Sequence, residues 1–125
     1  MGNPEKIHNF KDLQVWQESR KLFKQIFVCT KEFPKEKVFS SVSQMRRAAM
    51  SVASNIAEGF GRSSVPDKLH FYVMARGSLT ELQNQIILTT DVELLASSSS
   101  YNVLAQAEIT HKLLVGLIKS TERRK

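Results

Sequence analysis

The chain has 125 residues, 42% hydrophobic and 24% charged, with a net charge of +6. That length suits one domain spanning residues 1–125 and is short for two; it can bury a core without disulfides or metals. Cys29 is the only cysteine, which excludes an intrachain disulfide and a cysteine-based metal site within one chain. Lying in an apolar run, Cys29 reads as a buried, inert thiol rather than a nucleophile.

The basic excess is uneven. Residues 1–62 carry 11 basic and 6 acidic groups, against 7 and 6 in residues 63–125. A basic half suits an anionic partner such as RNA or DNA; a solvated surface kept soluble by its charge accounts for it equally. The first ten residues contain no apolar run of a secretory signal. Lys6 stands where a myristoylation motif wants Ser or Thr. No stretch approaches the roughly 20 apolar residues that span a bilayer. The expectation is a soluble, cytoplasmic protein without a membrane partner.

Four helices are predicted. The first runs from about Asp12 to Glu32, behind Asn9 as N-cap and ahead of Pro34. Leu13, Trp16, Arg20, Phe23 and Phe27 recur at steps of 3 and 4 and are read as its buried stripe, widened by Val15, Leu22 and Ile26. The second runs from about Ser41 to Gly59. Ser41 with Gln44 reads as a capping box, and Val38, Val42, Met45, Ala49, Val52, Ile56 and Phe60 form the stripe. Its many alanines suit close approach by a neighbouring helix, and Gly59 and Gly61 are expected to end it in the left-handed conformation.

The third helix follows Ser64 as cap and runs from about Pro66 to Glu93 on the stripe Tyr72, Ala75, Leu79, Leu82 and Ile86. Gly77 inside it is read as a close helix–helix contact. Ser97–Ser100 are expected to form a polar loop. The fourth helix then runs from about Tyr101 to Ser120, with Leu104, Ala107, His111, Leu114 and Ile118 on one face. The tail, including Arg123, Arg124 and Lys125, is expected to fray. Four amphipathic helices with short connections imply an all-α, antiparallel up-down-up-down four-helix bundle.

Catalytic patterns are absent. Gly59-Phe60-Gly61 is too short for a phosphate loop and follows a helix, not a strand. A di-iron bundle needs two Glu-x-x-His repeats, and only Glu108–His111 has that spacing. No enzyme activity, metal or cofactor is expected. The unusual segment is Gln44–Arg62, where polar groups interrupt an apolar helix. Asn55, Glu58, Arg76, Ser78 and Glu81 are read as an internal polar network, because buried polar groups need partners; a ligand or partner site is the other reading.

Three spaced motifs carry a resemblance. They are Phe10-x-Asp12-Leu13-x-Val15-Trp16-Gln17, the whole Gln44–Arg62 stretch, and Gly77-Ser78-Leu79-x-Glu81-Leu82-x-x-Gln85. Over residues 10–120 the chain resembles the four-helix-bundle proteins encoded in intervening sequences of bacterial 23S ribosomal RNA genes, and is similar to the accessory protein of diversity-generating retroelements. The resemblance implies a homopentameric ring without enzyme activity. For the retroelement relative it implies a basic surface that contacts nucleic acid and a reverse transcriptase. Ala53 stands where the family usually has Pro, and Ser97–Ser100 where acids are common.

On this reading Lys21, Lys24, Arg46, Arg47, Arg62, Lys68, Arg123, Arg124 and Lys125 are the candidate nucleic-acid contacts. Each is also explained as a solvated or salt-bridged side chain. Aromatic residues able to stack on bases are scarce outside the buried stripes, so backbone-driven binding is expected rather than base reading. The alternative is a structural oligomer whose partner is another protein, without nucleic acid.

Overall fold

The computed structural model describes residues 7–124, Phe39 by its backbone alone. The regular structure among them is helical: α1 Gln14–Thr30, α2 Ser43–Phe60, α3 Val65–Asp91 and α4 Ser97–Glu122. The four helices form a bundle in which α2 packs most extensively on α3, α3 on α4, and α1 on both α2 and α4. Lys125 and residues 1–6, on which the acylation reading rests, lie outside the described residues.

Local chemistry sets the boundaries. Asn9 does act as a cap, but of a separate 3-10 turn, Phe10–Asp12. Its Oδ1 accepts from the Lys11 N–H at 2.8 Å, while Asp12 Oδ2 accepts from the His8 and Asn9 N–H groups at 2.9 and 3.3 Å. Those backbone donors hold the Asp12 carboxyl below its ordinary value. An extended Leu13 then leads into α1.

The expected Ser41–Gln44 capping box is not formed. The chain enters α2 through a 3-10 turn, Lys35–Lys37, and a π-helical turn, Val38–Val42. Winding runs on from these into the helix, so no free helix start exists at Ser41 to be capped. At the other end Gly61 is right-handed (φ −77°), and Gly59 lies inside α2 instead of ending it. The α3 start matches expectation: Ser64 Oγ accepts from the Asp67 N–H at 3.2 Å, with Pro66 in the first turn.

The expected loop Ser97–Ser100 is the first turn of α4. After α3, Glu93 takes a positive φ of 63°. Thr89 O then accepts from the Leu94 and Leu95 N–H groups at 2.9 and 3.1 Å. Leu95 is buried, Ala96 is extended, and the Ser100 N–H reaches Ala96 O at 2.9 Å. Serine disfavours helix interiors by competing for backbone bonds but suits a first turn, so a serine run need not be a loop.

The core is built on Leu22, Ile26, Met45, Val52, Ile56, Tyr72, Leu79, Leu82, Ile86 and Leu114, all at most 1% exposed. The α1 stripe is rotated from expectation. Val15, Ser19, Leu22, Ile26 and Thr30 face inward, whereas Trp16 and Phe23 are half-buried and Arg20 and Phe27 are exposed. Small hydroxyl residues take the inner face because each bonds its own helix: Ser19 donates to Trp16 O at 2.7 Å and Thr30 to Ile26 O at 2.6 Å. The same holds in α4. There Thr110 donates to Gln106 O and Thr121 to Leu117 O, and both are buried, while Leu104 and His111 are only half-buried.

Gly77 is exposed, and an added Cβ there would meet nothing within 4 Å. It makes no close contact within the chain. The close approach is at Gly59, where a Cβ would lie 2.6 and 2.8 Å from the Tyr72 ring and 3.1 Å from Phe71 Cβ. No helix among the described residues is long and apolar enough to cross a membrane.

Candidate nucleic-acid interface

The candidate cations do not form one patch. Arg46, after the π-turn, folds back onto the end of α1. Its Nε donates to Thr30 Oγ1 at 3.0 Å, its Nη2 donates to Phe27 O at 3.2 Å, and its guanidinium lies 3.9 Å over the Phe27 ring. It therefore satisfies a last-turn carbonyl of α1, which a helix end leaves without an internal partner. Lys21 pairs with Glu18 at 3.0 Å. Glu18 Oε1 also accepts from Gln106 Nε2 of α4 at 2.8 Å. Those bonds, Gln106 first and Lys21 second, hold the Glu18 carboxyl below its usual value. Lys24 stands apart, at a 770 Å³ cleft shared with Gln25, Cys29, Leu95 and Val103. Burial pushes the Cys29 thiol up, in keeping with an inert role.

A second group gathers at the α2–α3 corner. Arg62 Nη2 pairs with Glu58 at 2.7 Å and its guanidinium sits 4.6 Å over Phe71. Lys68 Nζ donates to Phe60 O at 2.7 Å and to Gly59 O at 3.4 Å, closing the end of α2. Burial lowers the Lys68 pKa, and the positive charge of Arg124 lowers it further. Tyr72 is pushed up by burial, against a smaller opposing effect of Arg124. Arg123 and Arg124 are exposed at the end of α4, and their side chains make no hydrogen bond or ion pair among the described residues. Lys125 lies outside the described residues.

The internal polar network is smaller than expected and centred elsewhere. Ser51 Oγ and Ser78 Oγ share a hydrogen bond of 2.8 Å across α2 and α3. Asn55 Nδ2 donates to Ser51 O at 2.9 Å and to Ser51 Oγ at 3.0 Å. Glu58 is not part of it, being exposed and paired with Arg62. Arg76 is half-buried, and its side chain makes no hydrogen bond or ion pair among the described residues. Glu81 is exposed beside Arg47, Gln44, Ser51 and Ser78 in a polar groove of 460 Å³. Ser51 was missed, although its place one turn before Asn55 puts both on one face.

Sequence reasoning also missed an apolar groove of 320 Å³ between α1 and α2. Phe10, Trp16, Arg20 and Phe23 line one side; Met50, Ala53, Ser54 and Ala57 line the other. Its outer wall is the aromatic stripe read from sequence as core. The arginine within that stripe was the available signal that this face meets water.

Among the described residues no group of three or more His, Cys, Asp or Glu is placed to hold a metal ion. Glu108 is exposed and His111 half-buried.

The family model described as 23S rRNA-intervening sequence protein matches residues 11–116. A solved structure from Bacteroides thetaiotaomicron, described as a protein of unknown function from the S23 ribosomal protein family, superposes with a TM-score of 0.78. It is 22% identical, and the match covers 84% of this chain and 98% of that one. At that identity the likeness concerns the fold. No curated protein matches the chain.

Proposed function

The chain belongs to the 23S rRNA-intervening sequence protein family, and we propose that it serves as a non-enzymatic, self-assembling scaffold whose basic surface binds nucleic acid. One observation carries the nucleic-acid reading. At the end of α4 Arg123 and Arg124 are exposed side by side in sequence, and neither side chain makes a hydrogen bond or ion pair among the described residues. Like charges held together favour a polyanion, which would neutralise both.

Self-assembly is supported by α3. Beyond its core stripe, α3 exposes Val73, Met74, Ile87 and Leu88, with Gly77 open among them. A ring needs two different faces on each chain, and α4 also exposes apolar side chains, Tyr101 and Ile109. We infer an antiparallel up-down-up-down bundle, supported by the short connections, and a homopentameric ring as the family resemblance implies. Each added copy would multiply the +6 charge.

The test is binding of a labelled structured RNA at about 50 and 200 mM salt, where counterion release weakens backbone binding steeply. The double variant Arg123→Ala/Arg124→Ala removes charge without removing a described contact. It should lower affinity and flatten the salt dependence. Unchanged binding would reject this surface. Absence of RNA binding at either salt would favour the alternative, a structural oligomer whose partner is a protein such as a reverse transcriptase. The exposed apolar α3 face would then be that partner's dock.

A further inference from the structure

We propose that the α1–α2 groove binds unpaired bases of a single-stranded polynucleotide, by stacking on Trp16 and Phe23. This rests on the nucleic-acid reading and adds to it a site and a substrate class. The residues Trp16, Arg20, Phe23, Phe27 and Lys31 alternate rings and cations along the edge of α1. Arg20 lies 5.7 Å from the Trp16 ring centroid; Lys31 and Arg46 lie 5.7 and 3.9 Å from that of Phe27. Phe27 is 39% exposed, and Trp16 and Phe23 are half-buried at the groove wall.

Three features fit bases. Opposite the rings, Ala53 and Ala57 give α2 a low wall, which leaves room for a flat aromatic group. Trp16 and Phe23 stand ~10 Å apart along the helix at 1.5 Å per residue, a spacing that suits successive nucleotides of an extended strand. No acid lines the groove, and its charged lining residue, Arg20, is a cation. Stacking on aromatic rings with cations tracking the backbone is how single strands are held without sequence preference. A duplex keeps its base faces inside its own stack and could use only the cations. A second copy of the chain is the rival occupant, but it brings a net charge of +6 to a groove whose charged lining residue is the cation Arg20, whereas a polynucleotide brings negative charge.

Trp16 is the only tryptophan, so its fluorescence reports this groove alone. The experiment titrates the protein with a 12-nucleotide polypyrimidine strand and with the corresponding duplex. It follows both Trp16 emission and the anisotropy of the labelled nucleic acid. The expected result is saturable quenching by the single strand and little by the duplex. Phe23→Leu, which keeps an apolar side chain, and Arg20→Gln, at an exposed position, should each lower single-strand affinity, Phe23→Leu by roughly 5- to 100-fold. Duplex affinity should be unchanged in Phe23→Leu.

Single-strand binding by anisotropy without a Trp16 response, or with unchanged affinity in Phe23→Leu, would overturn the stacking site and leave the basic surface standing. A Trp16 emission shift on diluting the protein alone would assign the groove to a second copy and overturn the proposal. Loss of both single-strand and duplex binding in the wild-type protein would remove the underlying nucleic-acid reading as well.

Discussion

Replacing Gly59 by alanine separates two opposed effects of one methyl group. Alanine favours a helix interior over glycine by ~1 kcal/mol. At Gly59 the new Cβ would stand 2.6 and 2.8 Å from the Tyr72 ring and 3.1 Å from Phe71 Cβ. Tyr72 is 1% exposed, so its ring has no free space to swing into. Phe71 Cβ is fixed to the α3 backbone. Relief therefore requires α2 and α3 to separate along their packed seam. With two contacts below 3.0 Å, overpacking falls in the upper part of its usual range, roughly 2–3 kcal/mol, which leaves a net loss of about 1–2 kcal/mol after the propensity gain. The melting temperature should fall by about 3–10 °C. Gly116 in α4 is the control, being exposed with nothing within 4 Å of an added Cβ. Gly116→Ala should gain up to ~1 kcal/mol. Urea unfolding followed by circular dichroism, at one fixed protein concentration, measures both. A Gly59→Ala protein as stable as wild type would refute the close-approach reasoning.

Other expectations follow from the same geometry. Arg46→Ala should destabilise the chain by roughly 1–3 kcal/mol in urea melts, because Phe27 O and the Thr30 hydroxyl lose a donor and the Phe27 ring loses its cation. Arg46 is thus a poor choice for testing nucleic-acid binding alone. Glu18, with its pKa held below its ordinary value of 4.5 by Gln106 and Lys21, contributes stability that is complete above that value. That stability is lost as the pH falls through the lower folded value. Glu18→Gln should accordingly flatten the acid side of a stability–pH curve; an unaltered curve would count against this pair. Cys29, raised by burial, should react slowly with iodoacetamide at neutral pH and quickly once unfolded. Gly77→Ala should stabilise the single chain by up to ~1 kcal/mol yet weaken self-assembly on dilution if α3 packs closely on another copy.

The number and type of the helices were legible because stripes such as Met45–Val52–Ile56 and Tyr72–Leu79–Leu82–Ile86 are apolar at every helical step and are buried. The inner face of α1 was not. Its true stripe contains Ser19 and Thr30, which hide their polarity by bonding the helix that carries them. The larger Trp16, Phe23 and Phe27 made the neighbouring face look more apolar than the buried one. Hydropathy counts side chains one at a time and does not register that local satisfaction. Site residues suffered a related error. Arg46 and Lys68 looked like free cations, but each reaches backbone carbonyls at a helix end that no sequence pattern marks. Arg123 and Arg124 are exposed, and their side chains reach no such partner among the described residues.

The corner between α2 and α3 also bears on the order in which the chain folds. Lys68 reaches Gly59 O and Phe60 O across only nine and eight residues, and the Ser51–Ser78 bond, across 27, follows along the same seam. The Gln106–Glu18 bond, by contrast, closes a separation of 88 residues. Closing a loop costs more entropy as the loop lengthens, and short-range contacts form fastest. The α2–α3 pair is therefore the expected nucleus, with α1 and α4 packing onto it later.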